Sequence, residues 1–406
     1  MRTASGQANR VIVVGAGIGG LACALHLSGA GREVTVIERA AVPGGRAGHI
    51  ELDGYRFDTG PSTLGDPEAL TAAFTAVGEE MSNWVDLVKL TPAYRAHFAD
   101  GSTLDVDEDP DRMAAAIREF CGTRDADGYL RFTAAGSPAD RANQFFADRR
   151  TRRLFGRSLF AGLAPSLYHP RGGLYAVPGA MADVAAKHGV TMRYDTTVTG
   201  VESRGDRVTA VLTADGERLA ADAFVLPVRE APQPPPSCVV MHLGARARFT
   251  HAAHHSVYFG HAWERSFTEI VDRGELMTDP SLLVTNPTST DNTVAPPGRD
   301  TYYVLAPVPN LKTAPVNWTT AMGRRYAGEL MAALEARGYL DLGINLEVSH
   351  VVTPADWNRD GLPAGSPFCG PAPTGHANAY AAGGWTVRAA VVSGHTAARS
   401  VLGGHL

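Results

Sequence analysis

The residues with the clearest chemical signature lie near the start of the chain, where Gly15, Gly17, Gly19 and Gly20 fall within a G-x-G-x-x-G pattern. The first glycine of such a pattern allows a tight turn. The second lets backbone N–H groups approach a pyrophosphate, and the last allows close packing of a helix on a strand. Glu38 follows about twenty residues later, where a carboxylate accepts hydrogen bonds from an adenosine ribose. Since this acid would repel a 2′-phosphate, the spacing favours a dinucleotide without one.

The elements that must position these residues can also be predicted. The β-branched run Val11–Val14 predicts a buried parallel strand, the apolar spacing of Leu21–Leu27 predicts a helix, and Val34–Ile37 predicts a second strand that ends at Glu38. The positive end of that helix would face the phosphates. A glycine-rich turn without a ligand is the alternative, but the agreement of strand, turn, helix, strand and acid favours a nucleotide-binding unit.

A second glycine-rich motif follows the acid. The order E-R-x-x-x-P-G-G-R over residues 38–46, then F-D-x-G-P over residues 57–61, resembles the opening of the amine-oxidase and phytoene-desaturase superfamily of flavoproteins. The resemblance implies that FAD is the cofactor and that this region lies along the pyrophosphate and the ring. The alternative is an exposed glycine-rich loop with a solvated arginine. The residues that the resemblance assigns to FAD here are Arg39, Gly45, Arg46, Gly60, Pro61 and Ser62.

Residues 172–226 resemble the second FAD-binding segment of the same family. A G-G-x-x-x-V-P motif at residues 172–178 precedes an alanine-rich helix, and the resemblance implies that the backbone of Val198 contacts the adenine. The alternating and clustered apolar residues predict four strands. These are Val190–Tyr194, Thr197–Glu202, Arg207–Thr213 and Ala223–Leu226.

The middle of the chain narrows the resemblance to the phytoene (carotenoid) desaturase family, above all its actinobacterial members. The matching segments are residues 237–244, 262–265, 283–288 and 303–310, after a proline-rich run at 231–236 that predicts a stiff linker. The fold class predicted is α/β, a Rossmann-like FAD-binding domain with a parallel sheet and an interleaved α+β substrate domain. We assign residues 8–75, 172–230 and 376–406 to the first, and 76–171 and 231–375 to the second. The antiparallel sheet of the second should wall the substrate channel with one face.

The chain departs from this family by being shorter near residues 165–172, after Leu226 and after Phe368. Family members end with a strand, a loop that usually contains glycine and proline, and a helix whose N-terminus faces the flavin pyrimidine. Here the loop is contracted and lacks proline. The resemblance assigns Gly383, Arg388 and Ala389 to the cofactor. Arg388 could pair with the anionic reduced ring, and the alternative is a surface arginine.

Composition excludes several other classes of function. A formal net charge of −5 and the absence of a long basic run argue against nucleic acid as a partner. The cysteines stand far apart without a C-x-x-C pair, so neither a disulfide framework nor a zinc site is predicted and a reducing cytoplasm is expected. No run is long and apolar enough to span a bilayer. The four cysteines are Cys23, Cys121, Cys238 and Cys369.

Two groups of residues suggest a function, and each also has a simpler structural explanation. Four histidines, His251, His254, His255 and His261, have plausible ligand spacing, but the following residues 256–260 alternate like a strand, so no metal site is predicted. The basic and aromatic stretch 149–155 could rest on anionic lipid as a peripheral contact at the inner face of the plasma membrane. An ordinary solvated helix of the substrate domain explains it equally well.

The predicted activity is that of an FAD-dependent oxidoreductase that removes hydride from an allylic C–H of an apolar isoprenoid, with phytoene as the leading substrate. Flavin carries the hydride chemistry, so no catalytic side chain is assigned. Oxygen or a quinone would then take the electrons. Two alternatives stay open: a soluble FAD-dependent oxidase or dehydrogenase of another natural-product pathway, and a degenerate paralogue without turnover.

Overall fold

The computed structural model describes residues 9–156, 158–160, 162–227, 233–314, 316–370 and 374–403. Residues 231 and 232 of the predicted linker, and the predicted domain boundary at residue 230, lie outside these ranges. The described strands are β1 Arg10–Val14, β2 Glu33–Ile37, β3 His49–Leu52, β4 Tyr55–Asp58, β5 Leu87–Lys89, β6 Tyr94–His97, β7 Thr103–Val106, β8 Tyr168–Pro170, β9 Thr191–Arg193, β10 Val198–Arg204, β11 Arg207–Thr213, β12 Arg218–Ala220, β13 Ala223–Leu226, β14 Ser237–Ala245, β15 His255–Tyr258, β16 Leu282–Thr285, β17 Asp300–Val308, β18 Leu346–Val352 and β19 Ala379–Ala381. The described α-helices are α1 Ile18–Gly29, α2 Pro67–Thr75, α3 Pro110–Cys121, α4 Thr123–Ala134, α5 Arg149–Phe155, α6 Ala176–Lys187, α7 Trp263–Phe267, α8 Thr320–Glu335, α9 Pro354–Arg359 and α10 Val387–Val401.

A five-stranded parallel sheet carries the glycine-rich motif. Its strand order is β19-β13-β1-β2-β9, and every neighbouring pair is parallel. Central β1 pairs with β2 in the register Val11↔Val34. The helices α1, α6 and α10 cover one face and bury a continuous apolar core. This confirms the predicted strand, helix and strand around the first motif.

A seven-stranded sheet forms the second layer of the molecule. Its order is β18-β14-β17-β16-β15-β6-β7, and all pairings are antiparallel except β15 with β6. The predicted antiparallel sheet is therefore present but carries one parallel pairing. That pairing arises because β6, from the earlier part of the chain, is added beside β15. A separate antiparallel sheet, β10-β11-β12, contains the strands predicted at 197–202 and 207–213 as β10 and β11, whereas its third strand, β12, was not predicted.

The two faces of the seven-stranded sheet pack against different partners. One face bears Val240, Val257 and Leu283 and packs on α3, α4, α5 and an aromatic cluster. The opposite face bears Val239 and Val284, and it packs on α8. Side chains alternate between the faces because successive residues of a strand point in opposite directions. In the described ranges, no helix combines the length and apolar character that crossing a bilayer requires.

Candidate active site

A cleft of about 640 Å³ opens where the parallel strands β1 and β2 end. The carboxyl ends of parallel strands are the usual ligand-binding edge of such sheets, and the volume lies in the range of about 300–1,000 Å³ common for ligand pockets. Its walls come from the glycine-rich turn, residues 38–49, 196–198, 357–363 and 382–387. Residues distant in sequence thus converge on one cleft.

The glycine-rich turn forms the nucleotide end of the cleft. Gly15, Gly17, Gly19 and Gly20 all line it. Gly15 has a φ of +103°, which favours glycine. A Cβ at residue 20 would lie 2.1 Å from the Gly15 carbonyl oxygen, so only glycine lets α1 start this close to the strand. Gly17 precedes α1 without a side-chain cap, which leaves N–H groups of the first turn available for a phosphate.

Glu38 lies at the end of β2 and faces the same cleft. It is buried, and its Oε2 accepts a 2.7 Å hydrogen bond from the Ala16 N–H, while its Oε1 accepts a 3.0 Å bond from the Ala40 N–H. A carboxylate has about four lone-pair sites. The remaining sites can accept hydroxyl groups, so the residue both braces the turn and offers acceptors to a ribose.

Two arginines tie the motif to the opposite wall of the cleft. Arg39 Nη2 donates a 2.8 Å bond to the Asp360 carbonyl oxygen. Arg46 Nη1 donates to the carbonyl oxygens of Pro367 and, at 3.3 Å, Cys369. Burial lowers the pKa of Arg46, which stays far above neutrality for a guanidinium. Both side chains line the cleft, as does Gly45, and residues 360–369, which we call the covering segment, are held across it.

The turn at Gly60 joins the cleft to the second sheet. A Cβ on Gly60 would lie 1.7 Å from the Arg46 carbonyl oxygen, so the turn packs directly against the second glycine-rich motif. Pro61 lines the cleft. Ser62 turns away from it, and its Oγ accepts a 3.1 Å hydrogen bond from Thr285 in β16.

Asp58, in the same motif, fastens the two FAD-binding segments together. Its carboxylate accepts hydrogen bonds from the N–H groups of Leu174 and Tyr175, at 2.8 and 3.2 Å, just before α6. Burial raises the pKa of Asp58 to about 6, although these two bonds act in the opposite direction. Both motifs were predicted to lie near FAD, but this direct link between them was not predicted.

The remaining predicted residues divide between the cleft and the surface. Val198 and Gly383 line the cleft. Arg388 and Ala389 do not: the Arg388 side chain is 68% exposed and its Nε lies 2.5 Å from Asp66 Oδ2. The contact of Arg388 with a reduced ring stays a prediction, and this geometry favours the surface alternative.

Several residues that line the cleft were not predicted from the sequence. Trp385 is buried between Phe368 and Trp357, with ring centroids 4.9 and 6.5 Å away, and both tryptophans line the cleft. The Trp357 indole donates a 3.0 Å bond to the Cys238 carbonyl oxygen in β14. The rings of His49 and Tyr175 contact each other on the nucleotide side, with centroids 4.3 Å apart and planes tilted by 50°. His49 and Tyr175 stand inside or beside recognised motifs, a usable signal, whereas Trp357 is placed only by tertiary packing.

The structure also places the histidine cluster and the basic stretch 149–155. His254 and His255 are buried, and β15 overlaps the strand predicted over residues 256–260 but begins at His255 and ends at Tyr258. Within the described ranges, no group of three or more His, Cys, Asp or Glu side chains could hold a metal ion. In α5, Arg149 and Arg150 pair with Glu264 and Asp148. These pairs favour the solvated-helix interpretation of this stretch.

The comparisons with known proteins agree with this site. Residues 10–228 match the family described as "FAD dependent oxidoreductase". A phytoene dehydrogenase from Streptomyces griseus is 42% identical over 91% of this chain and 86% of its own length. A zeta-carotene-forming phytoene desaturase from Myxococcus xanthus is 28% identical over 87% and 83%. The Streptomyces alignment runs over 439 positions, more than the 406 residues of this chain, so it includes positions at which this chain has no residue.

Among solved structures, an oxidoreductase from Methanosarcina mazei superposes with a TM-score of 0.65. It is 14% identical, over 95% of this chain and 99% of that chain. This likeness concerns the fold, and the fold class predicted from the sequence is confirmed. The residues of the cleft fit FAD: an uncapped helix end for the pyrophosphate, a buried acid for the ribose and a cleft of sufficient volume.

Proposed function

Because the chain belongs to the phytoene desaturase family of FAD-dependent oxidoreductases, we propose that it introduces C=C bonds into an apolar isoprenoid, with phytoene as the leading substrate. The observation that carries the proposal is the 42% identity to a phytoene dehydrogenase across 91% of the chain. The complete nucleotide-binding fingerprint in one cleft supports it. The comparisons give no support to an oxidase of another pathway or to a paralogue without turnover.

FAD, when bound, accepts a hydride from the substrate. The protein supplies the binding groups: the α1 N-terminus and Gly17 for the pyrophosphate, Glu38 for the ribose and the backbone at Val198 for the adenine. We propose that Pro61 and Gly383 border the ring. Trp357 and Trp385 exclude water from the same end of the cleft, since both are buried there.

A row of apolar residues, which we call the apolar wall, lies next to the end of the cleft that Trp357 and Trp385 line. On one face of the second sheet, five residues stand in a cross-strand row: Val257, Leu283, Leu305, Val240 and Val352. The row is buried under α3, α4, α5 and the aromatic cluster. Once this packing opens, the row supports binding of a hydrocarbon chain, because burial of apolar surface contributes about 25 cal/mol per Å². We propose that residues 76–171 and 231–375 form the substrate domain and the remaining segments the FAD-binding domain, as predicted from the sequence.

The proposal extends to the electron acceptor and to lipid. We propose that oxygen or a quinone reoxidises the flavin and that the protein contacts a membrane peripherally at the inner face of the plasma membrane. Leu340 and Ile344, between α8 and β18, are 71% and 80% exposed, which supports insertion of this turn into lipid. Flotation with anionic vesicles tests this contact, and replacing both residues with serine should abolish it.

Purified FAD-loaded protein incubated with phytoene in vesicles tests the activity. We expect bleaching of the flavin absorbance without oxygen, and coloured polyenes once quinone or oxygen is added. Chromatography of the pigments identifies the product. Phytoene left unchanged by fully flavin-loaded protein, with both acceptors present, would contradict the proposed substrate.

A further inference from the structure

One of the hydroxyl groups of α10 forms a hydrogen bond outside the helix. Two others, on Thr396 and Ser400, donate to carbonyl oxygens four residues earlier, those of Val392 and Thr396, at 2.8 and 2.9 Å. This is the common behaviour of serine and threonine within a helix. Ser393 differs, because its Oγ accepts a 2.8 Å hydrogen bond from the Gly383 N–H, ten residues earlier in the chain. The Ser393 hydroxyl therefore joins α10 to the loop that precedes it.

The same hydroxyl also contacts the carbonyl group of Gly383. Ser393 Oγ lies 2.9 Å from this oxygen and 2.8 Å from the carbonyl oxygen of Ala390. A hydroxyl group has one proton and two acceptor lone pairs. It can therefore accept from the Gly383 N–H while its own proton is shared between the two carbonyl oxygens. One side chain thus orients both peptide groups of Gly383, whose φ of +148° favours glycine.

Close backbone packing holds this loop from two sides. A Cβ on Gly19, in the first turn of α1, would lie 2.8 Å from the Gly383 nitrogen. A Cβ on Gly384 would lie 2.7 Å from the Ala390 nitrogen in α10. Such packing limits how far the loop can move, but it does not set the direction in which N–H groups point. Hydrogen bonds are directional, so the Ser393 bonds supply that orientation.

The loop that Ser393 holds lines the cofactor cleft. Gly383, Gly384 and Trp385 all line it, and Trp385 contacts Phe368 at the end that we call the ring end. Within the described ranges, the N–H groups of Gly384 and Trp385 make no hydrogen bond to another residue. Backbone donors that are held in place beforehand stabilise negative charge on a ligand. The two N–H groups are therefore available to a bound cofactor.

We propose that Ser393 is a positioning residue for the flavin half of FAD: it orients the peptide groups of Gly383 so that the N–H groups of Gly384 and Trp385 face the ring. The inference rests on FAD binding in the proposed function and does not depend on phytoene. Reduction adds negative charge to the ring, so donors that face it stabilise the reduced form more than the oxidised form. The Ser393 hydrogen bonds should therefore raise the reduction potential of the bound flavin.

The test measures this potential in FAD-loaded Ser393→Ala by equilibration with a redox dye. We expect reduction to become about tenfold less favourable, the effect of about one hydrogen bond, which is a fall of about 30 mV for a two-electron couple. Ser393→Thr keeps the hydroxyl and should restore the wild-type potential. Ser400→Ala is the matched control, because it removes a hydroxyl that bonds only within α10. It should keep the wild-type potential.

ADP binding to the apoprotein shows whether the effect is confined to the flavin half. ADP occupies only the nucleotide end of the cleft, where the glycine-rich turn and Glu38 bind it. We therefore expect Ser393→Ala to bind ADP with wild-type affinity, measured by calorimetry, and FAD more weakly than the wild type does. A loss of affinity for ADP as large as that for FAD would mean damage to the whole cleft and would overturn the inference.

A wild-type potential in Ser393→Ala would also overturn it. If this variant does not retain FAD, Ser393→Cys carries the same test, because a thiol has a similar shape but is a weaker hydrogen-bonding group. Its potential should fall as well, and an unchanged value would overturn the assignment. Phytoene left unchanged by the wild type would contradict the proposed substrate without affecting these measurements, so the two failures are distinguishable.

Discussion

At its nucleotide end, the cleft is lined largely by backbone from one stretch of chain, residues 14–48, whereas its other end is assembled from residues 59–61, 357–369 and 382–390. The nucleotide end depends on positions that carry no side chain, such as Gly15 and Gly20. The second depends on which side chains meet, as Trp385 meets Phe368 and Trp357. A site built from backbone should therefore fail when a single carbon atom is added, and a site built from side-chain contacts should lose function in smaller steps.

The largest effect should follow from adding that carbon atom. Gly20→Ala would put a Cβ 2.1 Å from the Gly15 carbonyl oxygen, and backbone cannot yield as a flexible side chain can. We expect loss of bound FAD and destabilisation by at least about 1–3 kcal/mol. The measurement is the ratio of flavin to protein after purification, with thermal unfolding. Gly328→Ala, in α8 with open space around the Cβ position, should keep full flavin content.

Asp58 fastens the two FAD-binding segments together and should make the free energy of unfolding depend on pH. Its pKa is raised from 3.8 to about 6 by burial, so the folded protein holds its proton more tightly than the unfolded chain. The contribution of this proton to the free energy of unfolding is therefore complete below about pH 4. It is lost as the pH rises to about 6, a fall of about 3 kcal/mol. Denaturant unfolding of the wild type and Asp58→Asn between pH 4 and 7 measures it. Parallel pH profiles for the two proteins would contradict this assignment.

Glu38 sharpens the comparison between the two ends. It contributes a side chain at the nucleotide end, where the other binding groups belong to the backbone. Glu38→Gln replaces one acceptor oxygen by an N–H₂ group that would face the N–H of Ala16 or Ala40. We expect FAD binding to weaken by about 1.5–3 kcal/mol, the worth of a hydrogen bond to a charged group. Flavin fluorescence titration of the apoprotein measures the change. Glu33→Gln, at the exposed start of the same strand, is the control and should bind FAD normally.

The smallest effect is expected at Arg388. Its pair with Asp66 is exposed, and exposed pairs contribute about 0–1 kcal/mol. Arg388→Ala should therefore leave both flavin content and the reduction potential unchanged. A lowered potential, measured by dye equilibration, would instead support the predicted pairing of Arg388 with the reduced ring.

The same contrast explains which parts of the molecule could be predicted from sequence. The strand, turn, helix and acid around Gly15 were predicted correctly because each is a local pattern with a fixed spacing. The hairpin strands after residue 197 were predicted for the same reason. The parallel pairing of β6 with β15 was not, since it joins residues about 160 positions apart and nothing local specifies which edge a short strand will join.

The side chains at the ring end of the cleft show most clearly what could not be predicted from the sequence. Arg46 was expected to reach the cofactor, and the structure places it in the cleft but also against carbonyl groups of the covering segment. Trp357 carried no signal, because its capping box at Thr353 and Asp356 predicts only where a helix begins. Arg388 was assigned by its position in a family pattern, and the structure gives its side chain an exposed pair with Asp66.

The contact between α1 and α10 has a consequence for how the protein is made. A Cβ on Gly394 would lie 2.2 Å from the Gly19 carbonyl oxygen, and a Cβ on Gly19 would lie 2.8 Å from the Gly383 nitrogen. The first helix after the cofactor motif thus rests directly on a helix that is translated long after it. Because α10 follows every strand of the parallel sheet in the chain, the cleft cannot close on its cofactor until α10 has been made. Until then α1 exposes an apolar face, and the nascent chain at this stage is a natural client for chaperones.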